Sequence, residues 1–323
     1  MIFVESEFAP LRTVVLAESQ IAAPQQLPDP AELAFLKPEF LALAPAMLGK
    51  DFADAFPERQ RAWEGERAAF AAVLVKHGVE VLRPRRLMPA EIAAAAGRGY
   101  ANFFARDPFF TIGGFVIEGS LRFPHRRDEV LPIRPVIYER VYSDDCIYVA
   151  APRPEICDPG DKRLGPGPFI EGGDVLVLGK HVFVGDSGLA SNGLGARWLK
   201  KLLAPHGYEV EVVRLKPDVL HLDCALGLVR EGLMVVCPSA FVSGIPEKLG
   251  SWNRIEVTEE EARQLATNGL PLSPDVYVTD PDFRHIGDRI GEYGVQVEYI
   301  DFSISRAFGG AFRCSTQPLA RYA

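Results

Sequence analysis

The 323-residue chain is 48% hydrophobic and 24% charged, with a mean hydropathy of +0.04, which predicts a soluble globular protein and excludes a disordered or fibrous one. Its 35 Lys and Arg against 43 Asp and Glu leave a formal net charge of −8; that balance argues against a nucleic-acid surface and suits a small cationic ligand better. No long Ser/Gly linker or charge block divides the sequence, so residues 1–323 are expected to form one large domain.

In chain order, Met1-Ile2-Phe3-Val4-Glu5-Ser6-Glu7 shows no basic stretch ahead of an apolar run, and no segment reaches the length of a membrane span. A cytoplasmic location without membrane contact is expected. The first helical pattern runs from Arg61 to Lys76 and leads through His77-Gly78 into the alternating Val79-Glu80-Val81-Leu82. Phe110-Thr111-Ile112 and Phe115-Val116-Ile117 flank Gly113-Gly114 and predict a hairpin; Val175–Leu178 and Val182–Val184 predict a second. A helix from Gly195 to Pro205 then ends at His206-Gly207 before the strand Tyr208–Val212. A third hairpin joins Leu226–Val229 to Met234–Cys237, and a last helix from Pro281 to Tyr293 precedes Gly294 and the strand Val295–Tyr299. Each of these helix ends carries glycine where a left-handed backbone is cheap. Chained together, the units predict roughly five hairpin-plus-helix modules of about 50–70 residues each. An α+β sheet of unrelated hairpins fits the periodicity equally well.

Cys146, Cys157, Cys224, Cys237 and Cys314 are odd in number and form no CxxC pair. Neither a disulfide framework nor a structural zinc site is expected, and no ligand cluster asks for a metal or organic cofactor.

Four polar clusters interrupt the apolar strands: Arg106-Asp107-Pro108, Glu171-Gly172-Gly173-Asp174, His221-Leu222-Asp223, and the glycine-rich Gly309-Gly310-Ala311-Phe312-Arg313-Cys314. If residues 221–223 form a strand, His221 and Asp223 share a face. Singly, each cluster has an ordinary structural explanation: a turn cap, a loop, a hydrogen-bonded core histidine. Cys314 stands apart, because a thiolate is both a strong nucleophile and a tolerable leaving group.

In this order and spacing, from about Ala101 to the C-terminus, the four clusters resemble the guanidino-group-modifying superfamily of arginine deiminases, dimethylarginine dimethylaminohydrolases and amidinotransferases. The resemblance runs through Phe104-Ala105-Arg106-Asp107-Pro108-Phe109, Glu171-Gly172-Gly173-Asp174-Val175-Leu176, His221-Leu222-Asp223 and the Cys314 turn. It implies the pentein fold, an α/β propeller of five pseudo-symmetric modules around a central pocket. It further implies Cys314 as nucleophile, His221 as acid and base, Glu171 as the partner that orients the imidazole, and Asp107 and Asp223 as the carboxylates that grip a planar guanidinium. The expected product of attack is an S-alkylthiouronium on the enzyme.

The branch signals conflict. Ser191-Asn192-Gly193-Leu194-Gly195-Ala196-Arg197-Trp198-Leu199 looks like the amidinotransferases, whereas Glu171 looks like the deiminases. The resemblance narrowly favours a hydrolase, with an amidinotransferase using an amine acceptor as the alternative. Arginine deiminases carry a carboxylate-binding arginine where this chain has Gly188-Leu189-Ala190-Ser191, which leaves Arg122, Arg126 and Arg127, with Asn102 nearby, as candidates for that task. A solvated basic patch is the other reading of these arginines. A non-catalytic pentein acting as a binding protein, and a papain-like cysteine hydrolase, are further alternatives; Cys314 follows its histidine, the reverse of the papain order. The partners expected are a guanidino substrate and, for a transferase, an amine; self-association into a homo-oligomer stays open.

Overall fold

The computed structural model describes residues 1–26, 38–95, 97–155 and 164–323, so Cys157 lies outside the described residues. Among the described residues six sheets form; a two-stranded one pairs Gln20–Ala22 with Tyr100–Asn102, and the other five repeat one pattern: an antiparallel strand pair, a hairpin in four of them, then a connection and a strand that returns parallel to the pair's second strand. A parallel return of this kind needs a connection long enough to span the sheet, usually a helix.

The three hairpins read from sequence are present at Phe109–Ile112 with Phe115–Glu118, Val175–Leu178 with His181–Asp186, and Leu226–Arg230 with Leu233–Val236. Their returning strands are Ile147–Ala150, Glu209–Arg214 and Asn253–Glu256. A fourth hairpin, Leu270–Ser273 with Val276–Thr279, is completed by Gln296–Tyr299. The remaining module pairs the two ends of the chain, Leu11–Leu16 against Thr316–Arg321, with Glu80–Leu82 returning beside it. Helices Pro57–Lys76, Val130–Val141, Gly193–Leu203 and Arg284–Gly291 form four of the connections. The module at 226–256 uses short 3-10 turns instead. Gly78, Gly207 and Gly294 all take positive φ just past helix ends, as their spacing predicts.

The modules close into a ring. The last strand packs on Phe109–Ile112, Leu226–Arg230 packs on Leu270–Ser273, and the latter meets Leu11–Leu16. Ser120 bridges Ile170 between the second and third modules, and Val175–Leu178 touches the turn at 222–224 that opens the fourth. This is the expected five-module α/β propeller. Apolar strand faces pack between modules, as in the cluster of Phe110, Ile117, Val177, Val184 and Leu199. The polar clusters lie at the hairpin-opening turns, so the ring brings them to one centre.

Candidate active site

The Cys314 turn follows a short helix, Ser303–Ala307, and leads into the closing strand. Gly310 packs so tightly that a Cβ there would fall 2.3 Å from the Phe104 ring and 2.9 Å from Cβ of Cys314. The Cys314 carbonyl accepts from the backbone N–H groups of Ala105 at 3.0 Å and Arg106 at 3.2 Å, which docks the Asp107 segment onto the cysteine turn. Oδ1 of Asn268 accepts from the N–H groups of Ala311 and Cys314, each at 3.2 Å, and pins the turn from the other side.

Residues 222–224 form a 3-10 turn with His221 as its extended entry residue, so His221 and Asp223 are not neighbours on one strand face as expected. A second 3-10 turn, Gly172–Asp174, lies against it. Gly173 allows that contact, since a Cβ would sit 2.5 Å from Nδ1 of His221. Asp174 braces both turns by accepting from the N–H groups of Leu222 at 2.9 Å and Ser191 at 3.1 Å. Burial pushes the Asp174 carboxyl up to about 7.

The side chains assemble in two groups. His221 Nε2 lies 3.0 Å from Oε2 of Glu171, and Nδ1 lies 3.8 Å from Oδ1 of Asp107. Asp107 Oδ1 also accepts from the Gly173 N–H at 3.1 Å. Asp223 Oδ2 meets Arg313 Nη1 at 2.8 Å and the Cys314 sulfur at 3.7 Å. All five predicted groups are at most 3% exposed and so lie out of bulk water. Oxygen and nitrogen atoms of Asp107, Glu171 and His221 lie within 4.8 Å of one another, close enough for a cation to bridge; here a guanidinium and an imidazole fill that role.

That guanidinium is Arg126. It donates to Asp107 Oδ2 at 2.9 Å, to Glu171 Oε2 at 3.3 Å, and through Nε and Nη2 to both oxygens of Glu129 at 2.9 Å. Arg122 approaches through its backbone, whose N–H donates to Glu171 Oε1 at 2.9 Å, while its side chain donates to the Gly188 carbonyl. Arg127 donates to the carbonyls of Leu121 and Arg122. Asn102 stands apart from both groups, donating to the Arg85 carbonyl at 3.0 Å and to Gln20 at 3.3 Å.

Charge sets the resting state. Burial opposes an imidazolium at His221, but Asp107, the Glu171 hydrogen bond and Asp174 outweigh it and raise the group to about 10. Burial, with Asp223 and Asp107, pushes the Cys314 thiol well above its usual range; the Ala311 N–H and Arg313 offset this in part. These fields favour a protonated histidine and a neutral thiol.

A cavity of about 1070 Å³ is lined in part by Leu220, Cys224, Phe308 and Gly309, which lie in or beside the 221–224 and 309–314 turns, while Cys314, His221, Glu171, Asp107 and Asp223 themselves do not line it. Leu43, Phe52 and Ile304 give it apolar walls, and Lys216, Asp218, Glu259 and Arg263 a charged rim.

No family model matches the chain. It is 26% identical over 292 residues to inosamine-phosphate amidinotransferase 1 of Streptomyces glaucescens, covering 82% of each chain. It is 31% identical over 153 residues to the dimethylarginine dimethylaminohydrolase of Pseudomonas aeruginosa, covering 47% of this chain and 57% of that one. Among solved structures, an amidinotransferase of the saxitoxin pathway from Microseira wollei superposes with a TM-score of 0.82 at 21% identity, across 100% of this chain and 98% of that one. The relatives come from two branches, amidinotransferases and a dimethylarginine dimethylaminohydrolase, and with the five-module ring they make this chain similar in sequence and fold to the guanidino-group-modifying enzymes.

Proposed function

We propose that residues 1–323 form one catalytic unit that moves the amidino group of a guanidino donor to an amine, through a covalent intermediate on Cys314. The observation that carries the chemistry is the burial of a cysteine sulfur 3.7 Å from one carboxylate, Asp223, and in the field of a second, Asp107, which itself lies 3.8 Å from the His221 imidazole. A guanidinium is a poor electrophile because its charge is delocalised and its carbon shielded by resonance. Asp107 and Asp223 fix the plane of the donor cation. As the cation binds, the Cys314 thiol gives up its proton to solvent; the thiolate then attacks the central carbon and a C–S bond forms. His221 gives its proton to the departing amine nitrogen as the C–N bond breaks, leaving an amidino group on sulfur. The neutral imidazole next takes a proton from the incoming amine, which forms a C–N bond as the C–S bond breaks and the thiolate is released.

Glu171 holds the imidazole through the 3.0 Å contact. Arg126 is engaged by three carboxylates, so we assign it to holding Asp107 and Glu171 in place rather than to the substrate's far end. Arg122 fixes Glu171 through its backbone N–H, and Asn102 belongs to the surrounding scaffold. One feature favours transfer over the hydrolysis that Glu171 suggested: the amidinotransferase relative is matched along most of both chains.

Hydrolysis remains the second reading, favoured by Glu171 and by the dimethylaminohydrolase relative. In that case water resolves the adduct to a ureido product. Incubation with isotopically labelled guanidino donors, with and without a panel of amines, separates the two. Label appearing in a new guanidine only when amine is present supports transfer; label appearing in a ureido product at the same rate without amine overturns it.

A further inference from the structure

We propose that Glu7 is a positioning residue for the cysteine chemistry: by gripping Arg313 it governs how much of that guanidinium's charge reaches Asp223, and through Asp223 the Cys314 sulfur. The inference rests on the reading of Cys314 as the nucleophile given above.

Glu7 and Arg313 are 306 positions apart and both buried. Their contact is a two-pronged one, Nε to Oε2 at 3.0 Å and Nη2 to Oε1 at 3.1 Å, the geometry in which an arginine–carboxylate pair is most strongly oriented. The remaining arm, Nη1, reaches Asp223 Oδ2 at 2.8 Å and the Gly172 carbonyl at 3.3 Å, while Nη2 also donates to the Val175 carbonyl at 2.6 Å. The same Asp223 oxygen lies 3.7 Å from the sulfur. Glu7, Arg313 and Asp223 thus form an unbroken line of alternating charge that ends against the Cys314 sulfur. Glu7 is itself fixed, since its N–H donates to the Val177 carbonyl at 2.9 Å and its Oε1 accepts from the Val177 N–H at 3.2 Å.

Glu7 faces Arg313, Arg106 and Arg321, which hold its carboxyl down to about 2 against the cost of burial. It is a constant charge at working pH. The charged and titratable groups acting on Cys314 are Asp223, Asp107 and Arg313, with Arg67 and Cys224 also within its field. With Glu7 neutral, Arg313 is left to compensate Asp223 alone. Asp223 then repels a thiolate less, and the sulfur ionises more readily.

The test is the pH dependence of Cys314 alkylation by iodoacetamide in the absence of substrate, read at the Cys314 peptide by mass spectrometry. Glu7→Gln, which preserves shape, is expected to move the alkylation midpoint down by on the order of one pH unit and to speed alkylation at neutral pH about ten-fold. Glu7→Asp keeps the charge but draws it back from Arg313, so a smaller shift in the same direction is expected; it serves if Glu7→Gln does not fold. In an Asp223→Asn background the effect of either change should shrink to what Arg313 exerts on the sulfur directly, because the route through Asp223 is cut. A purely structural ion pair would lower the melting temperature and leave the midpoint in place. A midpoint unchanged or raised in the folded Glu7 variants, while Asp223→Asn alone lowers it, overturns the role of Glu7. If Asp223→Asn alone leaves the midpoint unmoved, it is the Asp223–Cys314 reading that fails.

Discussion

Replacing Asp223 by asparagine should separate thiol reactivity from catalysis. The carboxylate oxygen lies 3.7 Å from the Cys314 sulfur; at that spacing two unit negative charges repel by ~4 kcal/mol for an effective dielectric of about 20, equivalent to roughly three pH units. Arg313, 2.8 Å from the same oxygen, cancels part of this, and Asp107 stays in place, so a fall of about 1–2 pH units in the alkylation midpoint is expected. The variant should therefore be alkylated at Cys314 about 10- to 100-fold faster than wild type at neutral pH. It should also lose turnover, because one of the two carboxylates proposed for the guanidinium is gone. The assay is timed alkylation across pH, with activity measured on the same preparations. A midpoint that stays put or rises would refute the electrostatic reasoning, and undiminished turnover would remove Asp223 from the substrate site.

Cys314→Ala should reduce turnover by at least about 10³-fold while the thermal melting transition stays cooperative, as followed by calorimetry. The histidine predicts a stability signature: a group raised from 6.5 to about 10 contributes stability that is complete below pH 6.5 and lost as pH rises through 10. Wild type should accordingly lose more stability between those limits than His221→Asn, in melts compared across pH. Gly310→Ala would place a methyl 2.3 Å from the Phe104 ring; destabilisation of ~1–3 kcal/mol by denaturant titration is expected, together with loss of activity as the cysteine turn shifts.

Much of the architecture was readable locally. The hairpins and the glycines at 78, 207 and 294 announce themselves over a few residues, and these are the units that repeat. The module joining Leu11–Leu16 to Thr316–Arg321 left no such mark, since its two strands lie at opposite ends of the chain. The helix read from Arg61 starts at Pro57, where proline at the first turn was the available signal. His221 and Asp223 were picked by strand alternation, yet a 3-10 turn brings both to the centre, so the residues were right and the geometric reason was not. Arg126 carries the charge expected of a substrate-binding group, but only the fold could reveal three carboxylates already around it. Asn268 and Glu7 gave no warning at all: each looks like an ordinary polar residue until contacts 46 and 306 positions away place them beside the cysteine turn.

The account stands or falls on carbon–sulfur bond formation at Cys314. Rapid acid quenching of the enzyme during turnover of a guanidino donor, followed by mass spectrometry of the digested protein, should show an amidino-type adduct on the Cys314 peptide that builds up and decays at rates matching turnover. A donor consumed at full rate with no adduct on that peptide, or with the adduct on another cysteine, would contradict it.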